Sequence, residues 1–527
     1  MNQHPNRRQM RWWMPVTFLL LAGGAAAYLR FREIPFLEPI LIGIGLVTAL
    51  LLGLWYVFLT GLRWRTRLVL VLVGAGLLAG LYFGVKGFTR IEGAIGGSGI
   101  PRLVWKWSPQ PEGAVRPLLL APEAATPNQP AGTVVLPEDA FPQFLGPDRS
   151  GVLSGIPLAR DWERSPPKTL WRQPIGLGWS AFAGSGRHAI TQEQRRDEEL
   201  IVCYELLTGH ALWAHTNLVR FSETLGGDGP RATPTIHQGR VYAMGASGKL
   251  DCLEEATGQL IWSRDVLGEN HLSNLTWGKS CSPLLVNDLV VVTGGEQREK
   301  SLLAYAAATG QPVWQAGRDR ASYCSPLLAS LAGREQILMV NGHSVTGHDP
   351  HTGQILWEYA WPAEYAKATQ PLVIDTNRVF IAAGYGVGCV MLKVDRSAAG
   401  EWSVVALWKN RNLKPKFTNL VRRGHHVYGL DEGVLTCVNL DQGNREWKEG
   451  RYGHGQILLV EDLLLIQSES GEVVLVEISP EEPRERTRFP ALRGKTWNNP
   501  ALLGDLLLVR NDQEAACYRL PLKASRP

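Results

Sequence analysis

The sequence predicts an all-β fold, an eight-bladed β-propeller, preceded by an α-helical membrane anchor of three transmembrane helices. Three observations carry the prediction: a repeat built on a Thr-Gly turn and a following Trp, a repeat length that suits four short strands, and apolar runs confined to the first 90 of 527 residues. The corresponding domains are 1–86, the membrane domain; 87–140, a Pro/Gly-rich linker; and 141–527, the propeller.

The clearest repeat is Leu250-Asp-Cys-Leu-Glu-Glu-Ala-Thr-Gly-Gln-Leu-Ile-Trp262. A small residue stands six places before the Gly, an acidic or amide residue usually four before, and Trp four after. Copies end at Trp213, Trp314, Trp357 and Trp447, with turn glycines Gly209, Gly258, Gly310, Gly353 and Gly443. Glycine supplies the positive φ of a tight turn, and the Trp needs a large apolar slot that one repeat cannot provide. Trp171, Trp213, Trp262, Trp314, Trp357, Trp408 and Trp447 follow one another at 39 to 52 residues, a period that marks arrays and propellers. Two further units without the Trp, around Gln456–Ile478 and Pro500–Leu520, bring the count to eight. The last lacks a fourth strand, which Thr169–Gln173 is expected to supply, closing the ring.

These repeats resemble the tryptophan-docking motif of the pyrroloquinoline quinone (PQQ) propeller superfamily, which includes quinoprotein dehydrogenases and the lipoprotein propeller of outer-membrane protein assembly. The resemblance covers residues 168–521. The opening Phe141-Pro-Gln-Phe-Leu-Gly-Pro-Asp-Arg-Ser-Gly151, with Asp161-Trp162, Pro166-Pro167 and Leu170-Trp171, is similar to the start of exported bacterial members. The repeat implies the fold but no activity, because it joins blades whether or not a cofactor is bound. The alternating Gly-His and Trp-Asp pairs of WD40 propellers do not recur.

Apolar runs at Met14–Leu29, Leu37–Thr60 and Leu68–Val85 are each expected to cross a bilayer. Arg7, Arg8 and Arg11 precede the first, and Arg63, Arg65 and Arg67 lie between the second and third. The positive-inside rule then puts both sets in the cytoplasm and everything after Val85 outside. Residues 1–90 hold ten Lys/Arg against two Asp/Glu, and the remainder 44 against 47. The basic excess therefore belongs to membrane topology, and no nucleic-acid partner is expected. The linker, Gly-rich from Gly93 and Pro-rich from Pro101 to Pro137, is expected to be extended, with Trp105 and Trp107 as alternative contacts to the bilayer surface.

Cys203, Cys252 and Cys437 share the small-residue slot of the repeat, Cys517 occupies its counterpart in the last unit, and Cys281 and Cys324 each stand two before a Pro. Recurrent blade positions favour buried thiols over disulfides. His343, His348 and His351 lack zinc-site spacing, and Gly226-Gly-Asp-Gly229 lacks the further carboxylates of a calcium loop, so no metal is expected.

Aligning the units on the start of each innermost strand gathers Arg231, Lys279, Arg320, Lys367, Lys416 and Lys495, interleaved with Trp179, Trp277, Tyr323, Tyr365, Phe417, Tyr452 and Trp497. Of these, Arg231, Lys279, Lys367, Lys416, Lys495, Trp277, Tyr323 and Trp497 form the candidate ligand site: cations and aromatic plates around one channel mouth, suited to an anion. The expected function is a binding or scaffold module at the inner membrane, facing the periplasm, with an envelope protein or anionic ligand as partner and no cofactor. The superfamily resemblance implies an alternative, a PQQ- and calcium-dependent dehydrogenase passing electrons to a membrane quinone. The sequence departs from that pattern: the vicinal Cys-Cys that packs on the quinone is absent, and no clear Glu, Asn and Asp set is found for calcium.

Overall fold

In the computed structural model, which describes residues 12–31, 37–60, 62–95, 100–108, 118, 141–297, 300–362 and 365–523, the chain forms two compact units. One comprises Met1–Ser108 with Thr224–Gly226, and the other the remainder.

The larger unit is an eight-bladed propeller. Seven blades run continuously along the chain: 183–217, 235–265, 284–316, 327–360, 372–410, 421–451 and 456–490. Each is a four-stranded antiparallel meander. Blade 8 takes three strands from 501–519 and its fourth from Lys168–Pro174, in register with Glu514–Arg519 so that Trp171 faces Cys517. The expected ring closure is therefore present, and it is reinforced by an Arg172–Glu514 ion pair at 2.6 Å.

Strand pairing explains the repeat. The small residue lies directly across the ladder from the Trp: Cys203 opposite Trp213, Cys252 opposite Trp262, Ala304 opposite Trp314, Gly347 opposite Trp357, Cys437 opposite Trp447. A larger side chain there would occupy the space of the indole. Each ring then docks on the next blade. The indole N–H of Trp171, Trp213, Trp262, Trp408 and Trp447 donates to Leu206, Glu255, Ala307, Leu440 and Ser479 carbonyls respectively, at 2.8–3.0 Å. Gly310 shows why the turn demands glycine: its φ is +70°, and a Cβ would meet Trp262 Cδ2 at 2.6 Å. The same fit places Gly209, Gly258, Gly353 and Gly443 against Trp171, Trp213, Trp314 and Trp408.

Two blades vary the pattern. Trp357 turns its N–H to Gln336 of its own blade, because blade 5 lacks a Thr-Gly turn to receive it. Blade 7 carries Thr487 where a Trp would stand, and Trp162 from the segment before the propeller packs there. Its backbone N–H reaches Thr487 Oγ1, and its ring meets Phe489 edge-on at 5.4 Å.

The innermost strands are joined by a closed circuit of side-chain hydrogen bonds. Ser180 reaches Ala232, Thr233 reaches Ser282, Ser282 reaches Ser325, Cys324 reaches Thr369, Thr369 reaches Thr418, Thr418 reaches Gly455, Gln456 reaches Trp497, and Asn498 returns to Ser180. Small polar residues before each inner strand thus tie every blade to the next. All seven cysteines are free and buried, as the repeat implies.

Residues 141–153 fill one end of the ring. Phe141 bridges Gly184 of blade 1, the Pro142 carbonyl accepts from Ile236 of blade 2, and Val152–Leu153 add a parallel strand inside Leu459–Val460 of blade 7. Arg149, 4% exposed, donates to the Ser282 and Pro283 carbonyls of blade 3 at 3.0 and 2.9 Å.

In the smaller unit the three apolar runs form α1 (Trp13–Phe31), α2 (Leu37–Leu59) and α3 (Trp64–Phe88). Among the described residues, α2 and α3 are long and apolar enough to cross a membrane. Of the three expected spans, two are thus candidates by length and composition. The first helix is diluted by Ala22-Gly-Gly-Ala-Ala-Ala27 and carries Pro15 and Arg30. The start of the expected linker is also different: Thr89–Ile95 pairs with Ile100–Trp105 as an antiparallel hairpin instead of running extended. Arg7, Arg8 and Arg11, and residues 109–117 and 119–140 of the linker, lie outside the described residues.

Candidate functional site

The mouth opposite residues 141–153 is built from the loops that lead into the inner strands. The eight candidate residues lie in these loops, whereas Tyr452 is buried between blades 6 and 7 with its hydroxyl on Glu485 of the outer strand at 3.0 Å. The cations divide into two groups.

Three of them are internal staples. Lys279 is fully buried, and its Nζ donates to Thr293 O at 2.6 Å, Thr293 Oγ1 at 2.7 Å and the Gly294 carbonyl. Lys367, 1% exposed, donates to Trp361 O at 2.7 Å and the Gly342 carbonyl. Burial lowers both ammonium groups to a pKa of about 8. Arg231 binds the Gly227 and Gly229 carbonyls and lies over the Phe221 ring at 4.6 Å. These three hold carbonyls of the loops and strand ends around them, so the expected ring of five converging cations is reduced to two.

Those two are set among the aromatics. Lys495 Nζ lies 4.1 Å from the Trp497 ring centre and 4.9 Å from that of Trp179. Trp179 and Trp497 are themselves 4.9 Å apart, Phe417 follows at 5.0 Å and His454 at 5.4 Å beyond it. Lys416 continues the arc, 3.4 Å from His454 Nε2 and 5.4 Å over Tyr385, with Glu432 at 3.2 Å. Tyr385 stacks on Tyr365 at 6.0 Å and on Trp277 at 6.5 Å, and Trp277 meets Tyr323 at 5.4 Å. The Trp277–Tyr385 stack joins blade 3 to blade 5 past the start of blade 4. Glu469 fixes the arc by accepting from Trp497 Nε1 at 2.8 Å and from the His454 backbone at 3.0 Å.

Tyr385, His454, Glu432 and Glu469 were not among the predicted site residues. Tyr385 stands on the hairpin turn Gly384-Tyr385-Gly386 with φ +55°, and the flanking glycines are the signal that marks it. Also unforeseen is Glu199, buried where blade 1 meets blade 2, which accepts from Ala246 N at 2.9 Å and Ser247 Oγ at 3.3 Å. Burial raises its pKa to about 7. Of the histidines considered for metal, His348 is buried between Gly353 O and Thr346 Oγ1, each at 2.8 Å, and His343 binds Asp319. Among the described residues no three His, Cys, Asp or Glu converge as a metal site.

A half-buried arc of stacked aromatics with two cations and two carboxylates, carried on a ring of Trp-docked blades, defines the class: a propeller whose mouth is a recognition surface. The repeat, the fold and the comparisons together support a PQQ-like β-propeller superfamily for this chain. The family model described as outer membrane protein assembly factor BamB matches residues 196–449, from blade 1 to blade 6. Outer membrane protein assembly factor BamB of Bordetella pertussis is 21% identical over 327 residues, covering 56% of this chain and 75% of that protein. The crystal structure of BamB from Moraxella catarrhalis aligns with a TM-score of 0.50 at 16% identity, over 69% of this chain and all of the other. Quinohemoprotein alcohol dehydrogenase from Comamonas testosteroni aligns with a TM-score of 0.53 at 11% identity, over 74% of this chain and 82% of the other. At these identities the solved structures share the fold.

Proposed function

We propose that this chain is a membrane-anchored propeller, held at the inner membrane with its blades in the periplasm, that binds an envelope protein at the aromatic mouth. The single observation that carries this is the mouth itself, where half-buried Trp179, Trp277, Tyr323, Phe417 and Trp497 and the more exposed Tyr365 line one face. The opposite end is filled by residues 141–153, so recognition falls to this face. Large aromatics beside lysines are the composition of protein-binding hot spots, which combine rigid apolar area with cation–π and hydrogen-bond capacity. The BamB relatives, named for outer membrane protein assembly, support a partner among envelope proteins. Anion binding, if it contributes, rests on Lys416 and Lys495.

The quinone-enzyme alternative does not fit these residues. No two cysteines are adjacent, five lie in blade strands and Cys281 and Cys324 just ahead of inner strands, and no calcium-type carboxylate cluster is found among the described residues.

A photo-crosslinking residue at Tyr365, installed in cells, should capture an exported protein that the same residue at Val405, exposed on the outer strand of blade 5, does not. Equal capture at both positions would overturn the assignment. Retention of a quinone chromophore after incubating the purified chain with PQQ and calcium would favour the enzyme. A reporter active only in the cytoplasm, fused after Pro527, should remain silent; activity there would refute the orientation.

A further inference from the structure

We propose that the hairpin after α3 is a membrane-surface element, laying one face into the headgroup boundary of an anionic phospholipid bilayer; this rests on α3 being a membrane span. The helix ends at Phe88 and the first strand begins at Thr89, with no intervening residue. Three bonds tie the hairpin to the helix end: Lys106 N to Phe88 O at 2.8 Å, Lys106 Nζ to Lys86 O at 2.9 Å, and Thr89 Oγ1 to Val85 O at 2.6 Å. The hairpin is therefore held at whatever depth the helix emerges.

Its register makes it two-faced. Thr89 pairs with Trp105 and Ile91 with Leu103, so alternation puts Ile91, Leu103 and Trp105 on one side. Trp107 extends that side by stacking on Trp105 at 4.9 Å and 10°, and Phe88 packs against Trp107 at 6.2 Å. These side chains are 47 to 67% exposed. A two-stranded hairpin is marginal in water even when its apolar side is covered, and this side is bare.

Tyr82, Phe83 and Val85 in the last turns of α3 are exposed as well. Arg90 lies on the other side, where its guanidinium gathers the carbonyls of Trp105, Lys106 and Ser108. Lys86, Arg102 and Lys106 leave the element basic against the single Glu92. Tryptophans at the apolar boundary with lysine and arginine at headgroup level are the arrangement a bilayer interface selects, and the positive charge selects anionic lipid. The chain would thus leave the bilayer along its surface before it reaches the linker.

The test uses the full chain in nanodiscs containing phosphatidylglycerol, with one environment-sensitive fluorophore on a cysteine introduced by L103C, W107C, R102C or L78C. The seven native thiols are buried and stay unlabelled in the folded protein. Trp107 lies outside the strand ladder, so its label reports even if Leu103→Cys loosens the hairpin. With lipid-chain quenchers, labels at 103, 107 and 78 should lose most of their emission, while the label at 102 keeps most of its own and yields to aqueous iodide. If 78 is quenched by lipid but 103 and 107 respond only to iodide, the hairpin stands off the surface and the proposal falls with the anchor intact. Equal lipid quenching at 102 and 103 removes the two-faced arrangement and overturns it as well. If 78 itself escapes the lipid quencher, the anchor fails and the hairpin proposal with it.

Discussion

Trp262 and Gly310 are expected to be coupled, and a double-mutant cycle measures by how much. Trp262 is 8% exposed, lies across from Cys252, and donates to Ala307 O at 3.0 Å. Its replacement by Ala removes a buried ring and leaves a cavity, a loss of about 3–5 kcal/mol. Gly310→Ala suffers twice. Its φ of +70° costs an L-residue about 1–2 kcal/mol. The new Cβ would also lie 2.6 Å from the indole, and such overpacking costs about 1–3 kcal/mol. With the indole gone only the backbone cost remains, so Gly310→Ala should cost about 1–2 kcal/mol in the Trp262→Ala background, and the two changes together should be less harmful than their sum by about 1–3 kcal/mol. Pulse proteolysis of the detergent-solubilised chain across a urea series gives the four stabilities. Costs that add to within about 0.5 kcal/mol would refute a direct Trp-on-Gly dock.

Further outcomes follow from the same geometry. Trp262→Phe should cost about 1 kcal/mol more than Trp314→Phe in the same assay, because Trp314 Nε1 has no hydrogen-bond partner among the described residues; equal costs would contradict this. Arg149→Met strips the Ser282 and Pro283 carbonyls of their donors and should lower the urea midpoint by the equivalent of about 1–3 kcal/mol, whereas an unchanged midpoint would show that the buried guanidinium does not hold residues 141–153 in place. Deleting residues 168–174 bares the Glu514–Arg519 edge and the Gly209 face, so the variant should aggregate; a soluble, cooperatively unfolding deletion contradicts the closure. Glu199, raised by burial from 4.5 to about 7, holds its proton longer in the folded than in the unfolded chain. Its stabilising contribution is therefore full below pH 4.5 and is lost as pH rises to 7, by at most ~3 kcal/mol. Glu199→Gln should flatten stability across that window, and a pH profile unchanged from the parent would exclude Glu199 as its source.

The blades were legible because their determinants are local. A Thr-Gly turn, a small residue and a Trp lie within about a dozen positions of one another, and the docking that needs them recurs from blade to blade. In blade 3 the motif spans the strand from Leu302 and the strand from Pro312, which are adjacent in the chain and in the sheet. The mouth was legible only as a location. Position relative to the inner strand foretells which end of the ring a lysine occupies, but not whether its ammonium points to solvent or into the blade. Lys279 and Lys367 turn inward because Gly294 and Gly342, just past the ladders of their blades, present carbonyls that need donors. Lys416 and Lys495 have rings beside them instead. Tyr385 belongs to the hairpin between two blade strands, so alignment on inner-strand starts passed over it.

Within residues 141–174 the closing strand was legible, as the missing fourth strand of blade 8. The roles of 141–153 and Trp162 were the least legible, because the contacts that define them are remote in sequence. Residues 141–174 supply three separate parts of the ring: the filling of one end, the aromatic that blade 7 lacks, and the fourth strand of blade 8. Arg149 meets Ser282 and Pro283 across more than 130 positions, and Trp171 pairs with Cys517 across more than 340. Contacts of such separation bear the full entropy of loop closure before they return any stability, so they form after the local meanders. The segment precedes every blade in the chain yet is seated last. Until blade 7 exists Trp162 has no site, and until blade 8 exists strand 168–174 has no ladder partner, so the growing propeller carries open edges at both ends. In this chain the filling of one end of the ring, the aromatic that blade 7 lacks and the closing strand of blade 8 are carried by the same 34 residues.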